Sequence, residues 1–258
     1  MGEAYAFLQK IAQIHSRAPI ERHLEILYGE AEVAGLAFLS VFRDAIERSH
    51  TGLPAWKVLR RTGRALTLAQ YFHATREVEG ASAECGVLAG FSTLLLCRLA
   101  RHLESDFRGA GLHLIDSFEG LSAPVPQDAI SSLKRPGGAV EYTMSHQAGD
   151  LAAPIEHVKS VLQDYPEIDF HKGWIPEVFE TLPETRWSFV HIDVDLYAPT
   201  LAALEYFYPR LSPGGVIVND DYASPSFPGG GKAWDEFMTR HDLPFVALDT
   251  GQSVIIKA

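Results

Sequence analysis

The sequence predicts an α/β protein: a doubly wound, mainly parallel sheet with a terminal antiparallel hairpin, preceded by helices. Three observations carry this expectation. From about residue 80, short apolar runs bounded by glycine, proline or aspartate alternate with helical patterns, as βαβ units require. Two of the runs, "SFVHI" at 188–192 and "GVIV" at 215–218, are unbroken enough for strands buried on both faces. The end, "LPFVALDTGQSVIIKA", sets two apolar runs around an Asp-Thr-Gly turn.

Residues 1–78 are expected to form a helical cap or oligomerisation region. "EAYAFLQKIAQI" places Tyr5, Leu8 and Ile11 at three-residue steps. "PIERHLEILYGEAEVAGLAFLSVFRDAIERS" is rich in helix formers and opens on proline, at home in a first turn. A break at Thr51-Gly52-Leu53-Pro54 precedes a third helix over "RALTLAQYFHATREV". No strand signal appears in this part, and three apolar helices point to a homo-oligomer.

Residues 79–258 are expected to form the ligand-binding domain. Strands are predicted near 81–85, 112–115, 168–171, 188–192 and 215–218. Helices fall between them, among them "PTLAALEYFYPRL", with Leu201, Leu204, Tyr208 and Leu211 on one side. The irregular stretch 117–150 exceeds ordinary loop lengths, which marks it as functional or mobile.

Composition narrows the function. The 258 residues are 47% hydrophobic and 21% charged, ordinary for a soluble globular chain. No apolar run approaches the ~20 residues needed to span a bilayer, and the start lacks the basic region and long apolar core of a signal peptide. Cys85 and Cys97 make no disulfide framework. A net charge of −11 argues against nucleic acid, whose binding rests on neutralising phosphates. The expectation is a cytoplasmic protein acting on small molecules.

The motifs sharpen this. In "SAECGVLAGFST" a strand reaches Glu84, a glycine turn runs from Gly86 to Gly90, and a helix follows. Such a turn lets the backbone approach a ligand, and the helix start offers free N–H groups. The spacing is not the G-x-G-x-x-G of nicotinamide binders. "GLHLIDSFEGL" ends a second strand in Asp116, where nucleotide-binding sheets place an acid for ribose hydroxyls. Together they point to a nucleoside-containing cofactor.

Further on, "HIDVDLYAPT" and "GGVIVNDDY" end two strands in Asp193 and Asp195, and in Asp220 and Asp221. Asp193, Asp220 and Asp221 would repel one another at adjacent strand ends unless a hard cation such as Mg²⁺ or Ca²⁺ neutralised them. Trp174 is placed to flank an adenine, or to pack in the core. His146, in the irregular stretch, is a candidate for substrate contact. His191 is expected to be a packed or hydrogen-bonded strand histidine.

In order, "SAECGVLAGFST", "LIDSFEGL", "HKGWIPEVFETLP", "HIDVDLYAPT" and "LSPGGVIVNDDY" resemble the motifs of the macrocin O-methyltransferase family. The resemblance covers residues 70–222. It implies a class I methyltransferase sheet, S-adenosylmethionine as methyl donor, Mg²⁺, and a hydroxyl of a small molecule, such as a natural-product sugar, as acceptor. It sets Glu84, Cys85 and Gly86 along the methionine part of the cofactor, with Gly90 and Ser92 completing the turn. Asp116 would hold the ribose hydroxyls beside Ser117. Asp193, Asp220 and Asp221 would bind Mg²⁺, Asp193 also bordering the cofactor, and Asp195 would be the general base. The arginine and second glycine of the family turn are replaced here by Ala89 and Phe91. Three other readings stand beside it: a haloacid-dehalogenase-type phosphohydrolase, a D-x-D glycosyltransferase, and a non-catalytic cofactor-binding relative.

Overall fold

A computed structural model describes residues 17–50, 55–133 and 140–258. The first expected helix, near residues 3–14, lies outside them. Three helices open the described chain: α1 (Arg17–Tyr28), α2 (Phe38–Ser49) and α3 (Ala55–Ala74). The continuous helical reading of 19–49 is corrected. Between α1 and α2 a small hairpin pairs β1 (Glu32–Val33) with β2 (Leu36–Ala37). Its turn residues, Ala34 (φ 56°) and Gly35 (φ 76°), are left-handed, the geometry that matches strand twist in two-residue hairpins. α3 also begins earlier than expected.

The main sheet follows. Strands β3 (Ala81–Cys85) and β4 (Leu112–Asp116) flank α4 (Phe91–Leu103). The irregular stretch contains a short 3₁₀ turn and a two-stranded hairpin of β5 (Ile130–Leu133) and β6 (Val140–Thr143). Then come α5 (Ile155–Val161), β7 (Asp169–Lys172), β8 (Trp187–Ile192), α6 (Tyr197–Phe207), β9 (Leu211–Asn219), α7 (Pro228–Arg240), β10 (Val246–Ala247) and β11 (Ser253–Ile256). The seven-stranded order is β10-β11-β9-β8-β3-β4-β7. Strands β7, β4, β3, β8 and β9 are parallel, and β11 and β10 are antiparallel additions at one edge.

Every residue of β8 is buried, as its unbroken apolar run predicts for a central parallel strand. Trp187, Phe207, Trp234 and Phe237 fill the layer between the sheet and α6–α7. On the other face, Phe42 of α2, Ala65 of α3 and Leu94 of α4 belong to one cluster, so the N-terminal helices share a core with the sheet. Each large apolar side chain buried this way contributes on the order of 1.5–3 kcal/mol. No helix among the described residues is long and apolar enough to cross a membrane.

This topology fixes where a ligand can sit. The chain winds outward from β3 through β4 to β7, then returns to place β8 on the other side of β3. Ligands of open α/β sheets bind beyond the strand ends at such a reversal. Gly86 and Asp193 stand immediately past β3 and β8.

Candidate active site

A cavity of about 440 Å³ opens over the carboxyl ends of the central strands. Its first wall is the turn after β3. Gly86 takes φ +85°, and a Cβ there would lie 1.9 Å from the Asp193 carbonyl oxygen. Only glycine lets this turn lie against the end of β8, where the Asp193 N–H donates to the Cys85 carbonyl at 2.8 Å. Asp116 braces the turn from β4. Its Oδ2 accepts from the N–H groups of Val87 (2.7 Å) and Leu88 (3.3 Å), and its Oδ1 accepts from Phe118 N–H at 2.7 Å. Ser117, next along, donates to the Gly120 carbonyl at 2.8 Å.

Gly86, Ser92, Asp116, Ser117, Trp174 and Asp193 all line the cavity. Trp174 is 39% exposed, so it stands at the rim rather than in the core. Glu84, Cys85 and Gly90 depart from the expected wall. Strand alternation turns Cys85 into the core with Ala83, where burial pushes its thiol well up. Glu84 points the other way into a closed polar network. Its carboxylate accepts from the hydroxyls of Ser92 and Thr93 and faces His191 Nδ1 at 3.0 Å. Gly90 faces Val158.

The second wall is acidic. Carboxylate oxygens of Asp193, Asp195 and Asp221 lie within 4.8 Å of one another. Burial first, and then the neighbouring carboxylates, raise Asp193 and Asp195 well above the ordinary range. The same causes, burial first and then Asp220, bring Asp221 to about 6. Asp221 Oδ2 is buried without a hydrogen-bond partner. Asp195 holds a left-handed backbone, φ 61°, a strained state that persists where surrounding structure imposes it. Hard oxygen donors crowded in this way fit a divalent cation such as Mg²⁺, and two of them, Asp193 and Asp221, belong to the trio expected from the sequence.

Asp220, expected in that trio, has other company. Arg64 Nη1 of α3 donates to its Oδ2 and Gln252 Nε2 of the terminal hairpin to its Oδ1, each at 2.7 Å. Behind it stands His191, its Nε2 3.7 Å from Asp220 Oδ1. Burial works to raise Asp220, but His191 and Arg64 outweigh it and hold the acid well below the carboxylate range. Burial works to lower His191, but Asp220 and Glu84 on either side bring it to about 10. Each Asp220 oxygen keeps a further lone pair, so Arg64 and Gln252 set its direction without using up its capacity.

The outer wall is aromatic. His146 stacks on Phe227 with ring centroids 4.3 Å apart, and both line the cavity. His146 Nδ1 stands 3.7 Å from Asp150, and the structure joins it to none of the four aspartates. Sequence reasoning missed Arg64, Gln252 and Phe227. Neither helical nor hairpin periodicity marks which polar residue will face a strand end thirty or more residues away.

The sheet order and the placement of the site past β3 and β8 define a class I O-methyltransferase fold. A solved structure described as CalS11, calicheamicin methyltransferase, superposes with a TM-score of 0.62 at 18% identity, over 84% of this chain and 91% of that one. The sequence pattern of the macrocin-O-methyltransferase (TylF) family matches residues 64–251, and the chain belongs to that family.

Two curated relatives are similar. One is the 8-demethyl-8-(2,3-dimethoxy-alpha-L-rhamnosyl)-tetracenomycin-C 4'-O-methyltransferase of Streptomyces olivaceus, 34% identical over 57% of this chain and 54% of the relative. The other is the mycinamicin III 3''-O-methyltransferase of Micromonospora griseorubida, 30% identical over 64% and 63%. The matched stretch thus spans less than two thirds of either relative's length.

Proposed function

We propose that the protein is an S-adenosylmethionine-dependent O-methyltransferase that uses a divalent cation, Mg²⁺ by preference, to methylate a sugar hydroxyl on a small molecule. The observation that carries this is a single cavity shared by a braced glycine turn and a crowded carboxylate wall. The sugar follows from the relatives, one named for a rhamnosyl-bearing substrate. The haloacid-dehalogenase reading finds no support: its D-x-D strand opens the domain, whereas Asp193 follows the fourth strand of the main sheet in chain order.

In this reading the cofactor lies along Gly86, Ser92, Asp116 and Ser117, with the Asp116 carboxylate offering its remaining lone pairs to ribose hydroxyls. The methyl donor supplies an electrophilic carbon. Asp193, Asp220 and Asp221 would hold the cation, Asp220 being aimed by Arg64 and Gln252. A divalent cation there supplies Lewis acidity toward a neighbouring hydroxyl. Asp195, crowded by the other carboxylates, accepts the acceptor's proton. Trp174 and the His146–Phe227 stack narrow the mouth, orient the acceptor and exclude water.

Calorimetric titration of S-adenosylhomocysteine, with Mg²⁺ and separately with EDTA, tests the cofactor. Micromolar binding is expected, followed by methyl transfer to sugar-bearing acceptors only in the Mg²⁺ buffer. Absence of binding in both buffers would overturn the reading.

A further inference from the structure

Half of the acidic wall rides on a strained turn. Past β8 the chain runs Asp193-Val194-Asp195-Leu196-Tyr197 into α6. The Leu196 N–H closes back on the Val194 carbonyl at 2.6 Å, with Asp195 between them at φ 61°. Three-residue turns of this hand are rare and strained, so neighbouring structure has to impose them. Repulsion among the Asp193, Asp195 and Asp221 carboxylates, brought within 4.8 Å, works against this one as well. Upstream, the Asp193 N–H donates to the Cys85 carbonyl at 2.8 Å. Downstream, the Tyr197 N–H donates to Asp128 Oδ1 at 2.7 Å.

Asp128 comes from the irregular stretch, where it ends the 3₁₀ turn Pro126–Asp128. It is 7% exposed, and its Oδ2 accepts from the Val125 N–H at 2.8 Å, so each oxygen takes one backbone donor. It is not among the described residues that line the cavity, so it stands behind the wall rather than in it. The start of α7 makes room for it. The run "PGGGK" opens this helix, and a Cβ on Gly229 would lie 1.8 Å from Asp128 Oδ1 and 2.6 Å from the Tyr197 nitrogen. A Cβ on Gly230 would lie 3.1 Å from the Asp221 Cβ and 3.7 Å from the Asp195 carbonyl oxygen. The glycines thus lie against Asp128 and both acidic strand ends. Lys232 Nζ donates to the Gln127 carbonyl, which ties the same 3₁₀ turn to α7. We infer that Asp128 is a positioning residue for the cation site: it clamps the far end of the 193–197 turn and so keeps Asp193 and Asp195 facing Asp221. This rests on the cation reading above. A carboxylate that accepts two N–H groups suits the task, because charge-assisted hydrogen bonds are short and strong.

The test uses Mn²⁺ as the probe, since oxygen donors that suit Mg²⁺ suit it too. Its binding to the full chain is followed by electron paramagnetic resonance, S-adenosylhomocysteine binding by calorimetry, and folding by thermal unfolding. Asp128→Ala should weaken Mn²⁺ about tenfold or more, as the loss of a group that orients metal ligands does, and leave S-adenosylhomocysteine affinity unchanged. Asp128→Asn keeps the size of the side chain and one acceptor oxygen, so it should recover part of the Mn²⁺ affinity. A carboxylate that only stabilised the start of α6 would lower the melting temperature of both variants and leave Mn²⁺ affinity as it is. That result, or equal weakening of Mn²⁺ and S-adenosylhomocysteine, would overturn the inference while leaving the cation reading intact. Failure of the wild-type chain to bind Mn²⁺ would overturn both.

Discussion

Asp220 and Asp221 are neighbours at the end of β9, and the fold gives them opposite surroundings. Asp220 receives an arginine, a glutamine and, 3.7 Å away, a histidine. Asp221 receives two more carboxylates, Asp193 and Asp195, and one of its buried oxygens has no partner. Both acids are desolvated, so burial is not what separates them; the neighbouring charge is. One, Asp220, is a proposed cation ligand whose direction is set by α3 and the terminal hairpin. The other belongs to a cluster whose repulsion the fold tolerates at the site of chemistry, where perturbed acids concentrate.

The largest effect that would sharpen this contrast is on turnover. Asp221→Asn and Asp193→Asn should each reduce methyl transfer by about a thousandfold, while raising the melting temperature of the cation-free protein by a few degrees, because a repulsion is removed. A fall in cation-free stability for both variants would break the contrast. Asp195→Asn comes next: turnover down by about a hundredfold, with S-adenosylhomocysteine affinity unchanged in calorimetry. Full turnover in that variant would remove Asp195 as the base.

The paired side of the contrast is tested through Arg64. Arg64→Met leaves a buried Asp220 without its main counter-charge and should cost about 3 kcal/mol in denaturant unfolding. Pairs buried this deeply lose far more on removal of one member than surface pairs do. A loss below about 1 kcal/mol would place Asp220 with the unpaired acids.

A smaller effect concerns pH. The folded value of Asp221, about 6, lies above its ordinary 3.8, so the folded state binds the extra proton. Its contribution to stability is full below about pH 4 and is lost as pH rises through about 6. Cation-free protein should therefore lose stability over that window, and added Mg²⁺ should raise the melting temperature more at neutral pH than at pH near 5. An equal increment at both would contradict the linkage. The smallest effect is expected at Cys85, whose side chain is in the core. Cys85→Ala should leave S-adenosylhomocysteine affinity unchanged and cost about 1 kcal/mol of stability.

Strand ends were the most legible part of the sequence. The run at 81–85 matches β3, and the runs at 188–192 and 215–218 fall within β8 and β9, because apolar runs and the polar residues closing them report burial directly. The hairpin at Glu32–Ala37 was illegible, since its residues form helix as readily as strand and the Ala34–Gly35 turn alone decides. At the site, Gly86 and the four aspartates were visible as motifs. Arg64 and Gln252 were not, because their roles arise only when a helix and a hairpin remote in sequence are packed against the strand ends. Glu84 shows the converse: its place in a motif suggested a cofactor contact, but side-chain alternation along β3 turned it toward His191 instead.

The most direct measurement is thermal unfolding of the wild-type chain and of Asp221→Asn, each titrated with MgCl₂ at neutral pH. A crowded carboxylate wall that serves as a cation site predicts a saturable rise in melting temperature for the wild type and none for Asp221→Asn. The same saturable rise in both proteins would contradict it.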